Sequence, residues 1–63
     1  MAKFEMYPDK SGEYRWRLRA TNQQIIASSG EGYKSKESCR NGIEAVKRDA
    51  PAAEIVELAG ASK

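Results

Sequence analysis

The 63-residue chain is long enough for one domain only, and a chain of this length buries just about 60% of its unfolded surface. Its single cysteine, Cys39, excludes an intramolecular disulfide, and the lack of histidine argues against a zinc site. Oligomerisation is the remaining means of stabilising so small a core. The 11 basic and 9 acidic residues are interleaved, and their net charge of +2 excludes a polybasic tail.

No apolar stretch approaches the roughly 20 residues of a membrane span, and the first residues lack the apolar region of an export signal. Together with the lone thiol, this predicts a cytoplasmic protein without a membrane segment. We expect residues 1–63 to form a single domain that binds no cofactor and no metal.

The first predicted element is a strand over residues 2–7, where apolar and polar side chains alternate. Residues 8–12 follow as a five-residue turn, because proline fixes φ, aspartate bonds to its own backbone and glycine permits positive φ. A second strand is predicted over residues 13–20, where large apolar residues alternate with arginines at the period of a strand. One face of this strand would pack on a core, and the opposite face would carry Arg15, Arg17 and Arg19.

The length of the first turn predicts how these two strands pair. A five-residue loop over residues 8–12 would place Phe4 opposite Trp16 on the core face. On the other face it would place Glu5 opposite Arg15, so that an acid meets a base.

Residues 22–23 are predicted to form a two-residue turn into a third strand. On that register Ile26 would lie opposite Arg19, an apolar side chain on the face that carries the arginines. The turn also implies two pairs on the core face, Leu18 with Ala27 and Ala20 with Ile25.

A helix is predicted after the loop of residues 30–34. Ser35 is a suitable N-cap, Glu37 lies near the positive end of the helix dipole, and Pro51 ends the helix. The apolar stripe of this helix is narrow and consists of Cys39, Gly42, Ile43, Val46 and Ala50. The opposite side would carry a solvated row of ion pairs formed by Arg40, Glu44 and Arg48.

Residues 54–58 predict a short final strand. The expected fold is therefore α+β: an antiparallel three-stranded meander with one helix packed on one face and a short C-terminal strand. The free sheet edges and the small core predict a homodimer in which final strands or sheet edges extend across the interface.

Several blocks of the sequence resemble, in order, the YegP-like family of small bacterial proteins of unknown function. The blocks are residues 3–7, 9–18, 20–22, 29–36 and 42–48, so that the similarity spans residues 3–51. The resemblance implies a ββαβ-type unit and, for a chain with one such unit, a homodimer with exchanged strands. Gln23 departs from the family, which usually has glycine there. The family has no established activity, so no residue inherits a role.

Two basic groups are candidate binding surfaces for an anion or a partner. Arg15, Arg17 and Arg19 could bind phosphate or carboxylate, with Tyr7 beside them for base stacking. The favoured alternative is a solvated or dimer-packed sheet face, because nine acidic residues dilute the basic charge. A minor anion site could also form at the helix start from Lys34 and Lys36, although a plain strand-to-helix loop is favoured there.

Nothing in the sequence marks a catalytic residue. Cys39 has no histidine partner and falls in the helix stripe, so we expect a buried small side chain. No pair of carboxylates is marked for acid–base work, and so small a domain offers little pocket.

The favoured hypothesis is a small dimeric non-enzymatic module that binds a protein or peptide by adding a strand to a sheet edge. The alternative is weak binding of nucleic acid or another polyanion at the arginines of the second strand, and an enzyme at a dimer interface comes third.

Overall fold

The computed structural model describes residues 1–59 and has one sheet and one helix. Its elements are strands β1 (Lys3–Pro8), β2 (Tyr14–Arg19) and β3 (Ile25–Ser28), helix α1 (Lys36–Asp49) and a 3₁₀ turn over Ala50–Ala52. The strands are antiparallel in the order β1-β2-β3. The predicted α+β meander with one helix is thereby confirmed.

The pairing of β1 with β2 differs from the predicted register by two residues. Phe4 pairs with Leu18 rather than Trp16, and Glu5 pairs with Arg17 rather than Arg15. The sequence did not separate the two registers, because a shift of two residues leaves every side chain on its predicted face.

Pro8 explains the shift, because it continues the strand instead of opening the turn. It lies opposite Tyr14, whose N–H is directed to the other side of β2, where it donates to the Tyr33 carbonyl at 2.7 Å. The nitrogen of Pro8 therefore faces the open edge of β1, where the missing N–H removes no bond from the ladder. The loop closes one residue later, where the N–H of Asp9 donates to the Glu13 carbonyl at 2.7 Å.

The pairing of β2 with β3 is predicted correctly at Leu18 and wrongly next to the turn. Leu18 pairs with Ala27 as expected, but Ile25 pairs with Arg19 and not with Ala20. The ladder shifts between Leu18 and Arg19, so that Ile26 is an extra residue on β3.

The β2–β3 turn explains this irregularity. The N–H of Gln23 donates to the Ala20 carbonyl at 2.9 Å, and the N–H of Ala20 donates to the Gln24 carbonyl at 2.7 Å. Gln23 has a φ of +76°, which is the left-handed conformation that favours glycine. The loop is thus one residue longer than predicted, with a β-turn followed by a left-handed residue.

Helix α1 begins and ends close to the predicted positions. The Ser35 hydroxyl accepts a hydrogen bond from the N–H of Ser38 at 3.1 Å, so Ser35 is the N-cap. The helix ends at Asp49 and Pro51 lies in the 3₁₀ turn that follows. Among the described residues the predicted row of ion pairs does not form, since Arg48 pairs with the adjacent Asp49 at 3.2 Å. Fully solvated pairs gain too little to fix their geometry.

The core lies between α1 and one face of the sheet. Trp16 is only 6% exposed, and it packs with the buried Cys39 and Ile43 of the helix. Phe4 meets Trp16 edge to face, with ring centroids 5.4 Å apart. Partly buried side chains surround this cluster, namely Phe4, Met6, Tyr14, Leu18, Tyr33 and Val46.

The predicted final strand is not formed within the single chain. Residues 54–58 pair with no other strand of the described residues. Ile55 is completely exposed, and Val56 and Leu58 are also exposed.

Candidate functional site

The face of the sheet opposite the helix carries a row of arginines. Arg15, Arg17 and Arg19 alternate along the central strand β2 with core residues, so all three side chains project from this second face. Glu5 and Tyr7 of β1 share it, because they pair with Arg17 and Arg15. We call this surface the arginine face.

Glu5 holds two of the arginines at once. Its Oε1 accepts from the Nε of Arg17 at 2.7 Å and from the Nε of Arg19 at 2.9 Å. The Nζ of Lys3 lies 3.9 Å from Oε2 of the same carboxylate. The hydrogen bonds from Arg17 and Arg19 lower the pKa of Glu5.

Arg15 pairs with Asp9 of the β1–β2 loop, and not with Glu5 as predicted. The Nε of Arg15 donates to Oδ2 of Asp9 at 2.7 Å. The other carboxylate oxygen, Oδ1, accepts from the N–H and hydroxyl of Ser11 and from the N–H of Glu13. These bonds, that from Arg15 first, hold the pKa of Asp9 well below its usual range.

The arginines have further local contacts that fix their orientation. The guanidinium of Arg17 lies over the Tyr7 ring, 4.8 Å from its centroid, in a cation–π contact. An Nη of Arg19 donates to the Gln23 carbonyl at 2.8 Å. The row is thus an ordered array in which each guanidinium has a defined partner.

Lys34 and Lys36 lie elsewhere on the molecule. Lys36 is the first residue of α1, which packs on the sheet face opposite the arginines, and Lys34 precedes the N-cap. Both side chains are exposed. The structure therefore does not bring these lysines together with Arg15, Arg17 and Arg19.

Cys39 is a core residue, as its place in the helix stripe predicts. It is fully buried against Trp16 and Ile43, and burial raises the pKa of its thiol. A protonated, buried thiol is a poor nucleophile, so the cysteine contributes packing to this site.

An open groove between β1 and α1 is the feature that the sequence did not indicate. It has a volume of about 520 Å³ and an apolar floor that includes Phe4, Leu18 and Ile43. Arg40, Lys47 and Glu44 of the helix also line it, and Lys3 borders it at the start of β1 with its side chain on the arginine face. The only sequence signal for it was the narrow stripe of α1, which leaves part of the sheet uncovered.

Apolar side chains are exposed at two further places. Ile25 and Ile26 lie on β3, whose outer edge is unpaired within residues 1–59, and Ile55, Val56 and Leu58 lie in the segment after the helix. None of the helices in the described part of the chain has the length and apolar character that crossing a membrane requires.

Comparison with known proteins gives close relatives over almost the whole chain. Residues 9–57 match the family model described as "Domain of unknown function (DUF1508)". A UPF0339 protein of Methanosarcina acetivorans is 59% identical over 58 residues, which are 92% of this chain and 98% of that protein.

Two NMR structures have the same fold. A protein from Haloferax volcanii has a TM-score of 0.84 at 51% identity, over 90% of this chain and 95% of that one. Protein ATU0232 from Agrobacterium tumefaciens has a TM-score of 0.76 at 50% identity, over 92% of each chain. The Methanosarcina and Haloferax relatives show that such proteins also occur in archaea, so the family is not confined to bacteria.

Proposed function

Because the chain belongs to the DUF1508 family of UPF0339 proteins, whose function is unknown, we propose its role from its surfaces: a small dimeric, non-enzymatic module that binds a protein or peptide partner. In this proposal residues 54–58 of each copy form a strand on β1 of the other copy. The observation that carries the proposal is that the chain exposes both an apolar segment after α1 and a groove with an apolar floor.

The alternation of the segment suits an edge strand. In a strand over residues 54–58, Val56 and Leu58 share one face with Glu54, while Ile55 and Glu57 share the other. With Val56 and Leu58 in the groove, their side chains meet the apolar floor of Phe4, Leu18 and Ile43. In a two-fold dimer this insertion occurs twice, and burying each Val or Leu stabilises the dimer by about 1.5–3 kcal/mol.

Charge complementarity also favours this occupant. The helix side of the groove carries Arg40 and Lys47 against the single acid Glu44. The segment brings Glu54 on the same face as Val56 and Leu58, Glu57 on the opposite face, and no basic residue. Opposite charges on the segment and on the groove favour one register of the segment over others and speed the association of two copies.

The β3 edge remains open in such a dimer and offers a place for a partner strand. It is unpaired on its outer side within the described residues, and Ile25 and Ile26 lie exposed along it. An extended peptide could add there through backbone hydrogen bonds and cover these side chains.

The buried thiol supports the non-enzymatic part of the proposal. Cys39, with its raised pKa, is inaccessible to a substrate, and the carboxylates of Glu5 and Asp9 are held ionised by arginines. A general acid would need a raised carboxyl pKa instead. A reducing compartment such as the cytoplasm agrees with a single unpaired thiol.

Sedimentation velocity tests the dimer. We expect the full chain to sediment as a dimer at micromolar concentration, and the variant Val56→Asp/Leu58→Asp to sediment as a monomer because it would bury two carboxylates in the groove. Thr21→Asp, which adds an acid to an exposed turn, is the control and should remain dimeric. A monomeric full chain, or a Val56→Asp/Leu58→Asp variant that dimerises as tightly, would contradict the proposal.

Peptides selected from a display library against the dimer test the partner edge. A bound peptide is expected to shift the amide resonances of residues 25–28 and to leave those of residues 3–8 in place. The assignment to β3 fails if selected peptides shift the resonances of β1 instead, or if no extended peptide is recovered.

A further inference from the structure

We propose that the arginine face binds single-stranded nucleic acid, with the phosphates along Arg15, Arg17 and Arg19. The site lies on the sheet face opposite α1 and on the central strand, so it does not depend on the dimer proposed above. It would accept any extended polymer of phosphodiesters, with the bases in contact with neighbouring side chains.

The spacing of the row matches a linear polyanion. Arginines at alternate positions of one strand are about 6.8 Å apart, since each residue advances the strand by about 3.4 Å. Phosphates along an extended single strand recur at a comparable distance. Three guanidinium groups in a straight line can therefore each meet one phosphate in succession.

The Nε atom of each guanidinium group donates to a carboxylate, which leaves terminal nitrogens available to bind an anion. Arg15 and Arg17 each donate through Nε to a carboxylate, and Arg17 is also stacked over Tyr7. Within residues 1–59 their terminal nitrogens donate to no acceptor, and the two side chains remain 36% and 35% exposed. An array already ordered in this way loses little conformational entropy when an anion binds.

The ion pairs do not neutralise the face. Four cations, Lys3 and the three arginines, surround two carboxylates, those of Glu5 and Asp9, which leaves a surplus of two positive charges. That surplus equals the net charge of +2 of the whole chain. The excess positive charge of the protein is therefore concentrated where the terminal nitrogens are free.

Two neighbouring side chains can contact bases. Tyr7 lies on this face beside Arg15, and the exposed Ile25 pairs with Arg19 on the third strand. An aromatic ring and an apolar surface beside a basic row are what non-specific single-strand binding uses.

An acidic peptide fits this face less well. β2 is the central strand and is hydrogen-bonded on both sides, to β1 and to β3, so no peptide can pair with its backbone. An acidic peptide would have to lie across the side chains without backbone hydrogen bonds. Phosphodiesters require only the side-chain donors that the face provides.

Fluorescence anisotropy with a labelled oligothymidylate tests the proposal. With three phosphates contacted, the slope of log affinity against log salt should be about −2, so that affinity falls roughly 30-fold between about 20 and 100 mM salt. Arg17→Ala should flatten the slope by about 0.7, whereas Arg48→Ala, which removes the same charge from α1, should leave it unchanged. Circular dichroism checks that each variant is folded.

Glu5→Gln provides a second variant in case Arg17→Ala fails to fold. The amide oxygen can still accept from Arg17, while the face gains one net positive charge, so oligothymidylate should bind more tightly. Equal losses for Arg17→Ala and Arg48→Ala, an affinity that ignores salt, or weaker binding by Glu5→Gln would overturn the proposal. Equally tight binding of an oligoaspartate with the same number of charges would assign the face to acidic peptides instead.

Discussion

The two ends of the sheet differ in how completely the other residues of the same chain cover them. At the end that carries the β1–β2 loop, Tyr14 and Tyr33 form a bridge, and the Tyr33 ring packs directly on Gly42 of the helix. We call this the closed end. At the opposite end, Lys3 and Leu18 border the groove, and the β2–β3 turn holds Gln23 with positive φ. We call this the open end.

The closed end is completed within one chain, whereas the open end is the part that the proposed dimer would cover. The closed end is held by backbone hydrogen bonds in both directions between Tyr14 and Tyr33, at 2.7 and 2.8 Å. The open end has an uncovered apolar floor, and the segment after the helix exposes three apolar residues. A small domain gains most by burying such surface against another copy.

Gly42→Ala should produce the largest loss at the closed end. A Cβ at this position would lie 2.5 Å from the Tyr33 oxygen and 2.9 Å from Cζ of its rigid ring. Overpacking of this kind costs about 1–3 kcal/mol, against a gain of up to about 1 kcal/mol in helix propensity. We expect a net loss in the free energy of unfolding, measured by urea denaturation.

The adjacent Asn41 provides the matched control for that substitution. Its side chain is exposed, so Asn41→Ala places the same residue type in the helix without a clash and should stabilise it by a few tenths of a kcal/mol. If Gly42→Ala also stabilises the protein, Tyr33 does not close this end as described.

Asp9→Asn should weaken the closed end in a pH-dependent way. The bond from Arg15 and those from Ser11 and Glu13 lower the pKa of Asp9, so its contribution is complete above the usual carboxyl pKa of about 4 and is lost as the pH falls below it. The melting temperature of the native chain, measured in thermal scans, should therefore fall as the pH is lowered below about 4. The variant should be less stable at pH 7 and show a shallower decline, and equal slopes for the two proteins would count against this network.

Gln23→Gly should have the smallest effect, at the open end, and in the opposite direction. A non-glycine residue in the left-handed region costs about 1–2 kcal/mol, and glycine removes this cost. Glycine also raises the conformational entropy of the unfolded chain, which offsets part of the stabilisation. We expect a stabilisation of about 0.5 kcal/mol in urea denaturation. Asn22→Gly, at a neighbouring position without positive φ, should instead destabilise, because the Asn22 side chain accepts from the N–H of Gln24.

The alternation of side chains was predictable from the sequence, and the exact pairing was not. The arginine face, the core residue Trp16 and the N-cap Ser35 all follow from local patterns, and the structure confirms them. The β1–β2 register depends on whether Pro8 belongs to the strand or to the turn, which composition does not decide. The prediction that Glu5 pairs with Arg15 was wrong for the same reason.

The groove could not be predicted, because it results from the angle and position of α1 on the sheet. Periodicity identifies which residues of the helix face inward, such as Cys39 and Ile43, but not how much of the sheet they cover. Lys34 and Lys36 show the same limit, since their neighbours in space depend on where the helix begins relative to the sheet.

An isotope-filtered NOESY spectrum of a 1:1 mixture of labelled and unlabelled chains tests the dimer most directly. The proposed dimer should give intermolecular cross-peaks between the methyl groups of Val56 and Leu58 and the side chains of Phe4 and Leu18. Cross-peaks between these groups that arise only within one chain, or no cross-peaks at all at a concentration where the protein is dimeric, would contradict it.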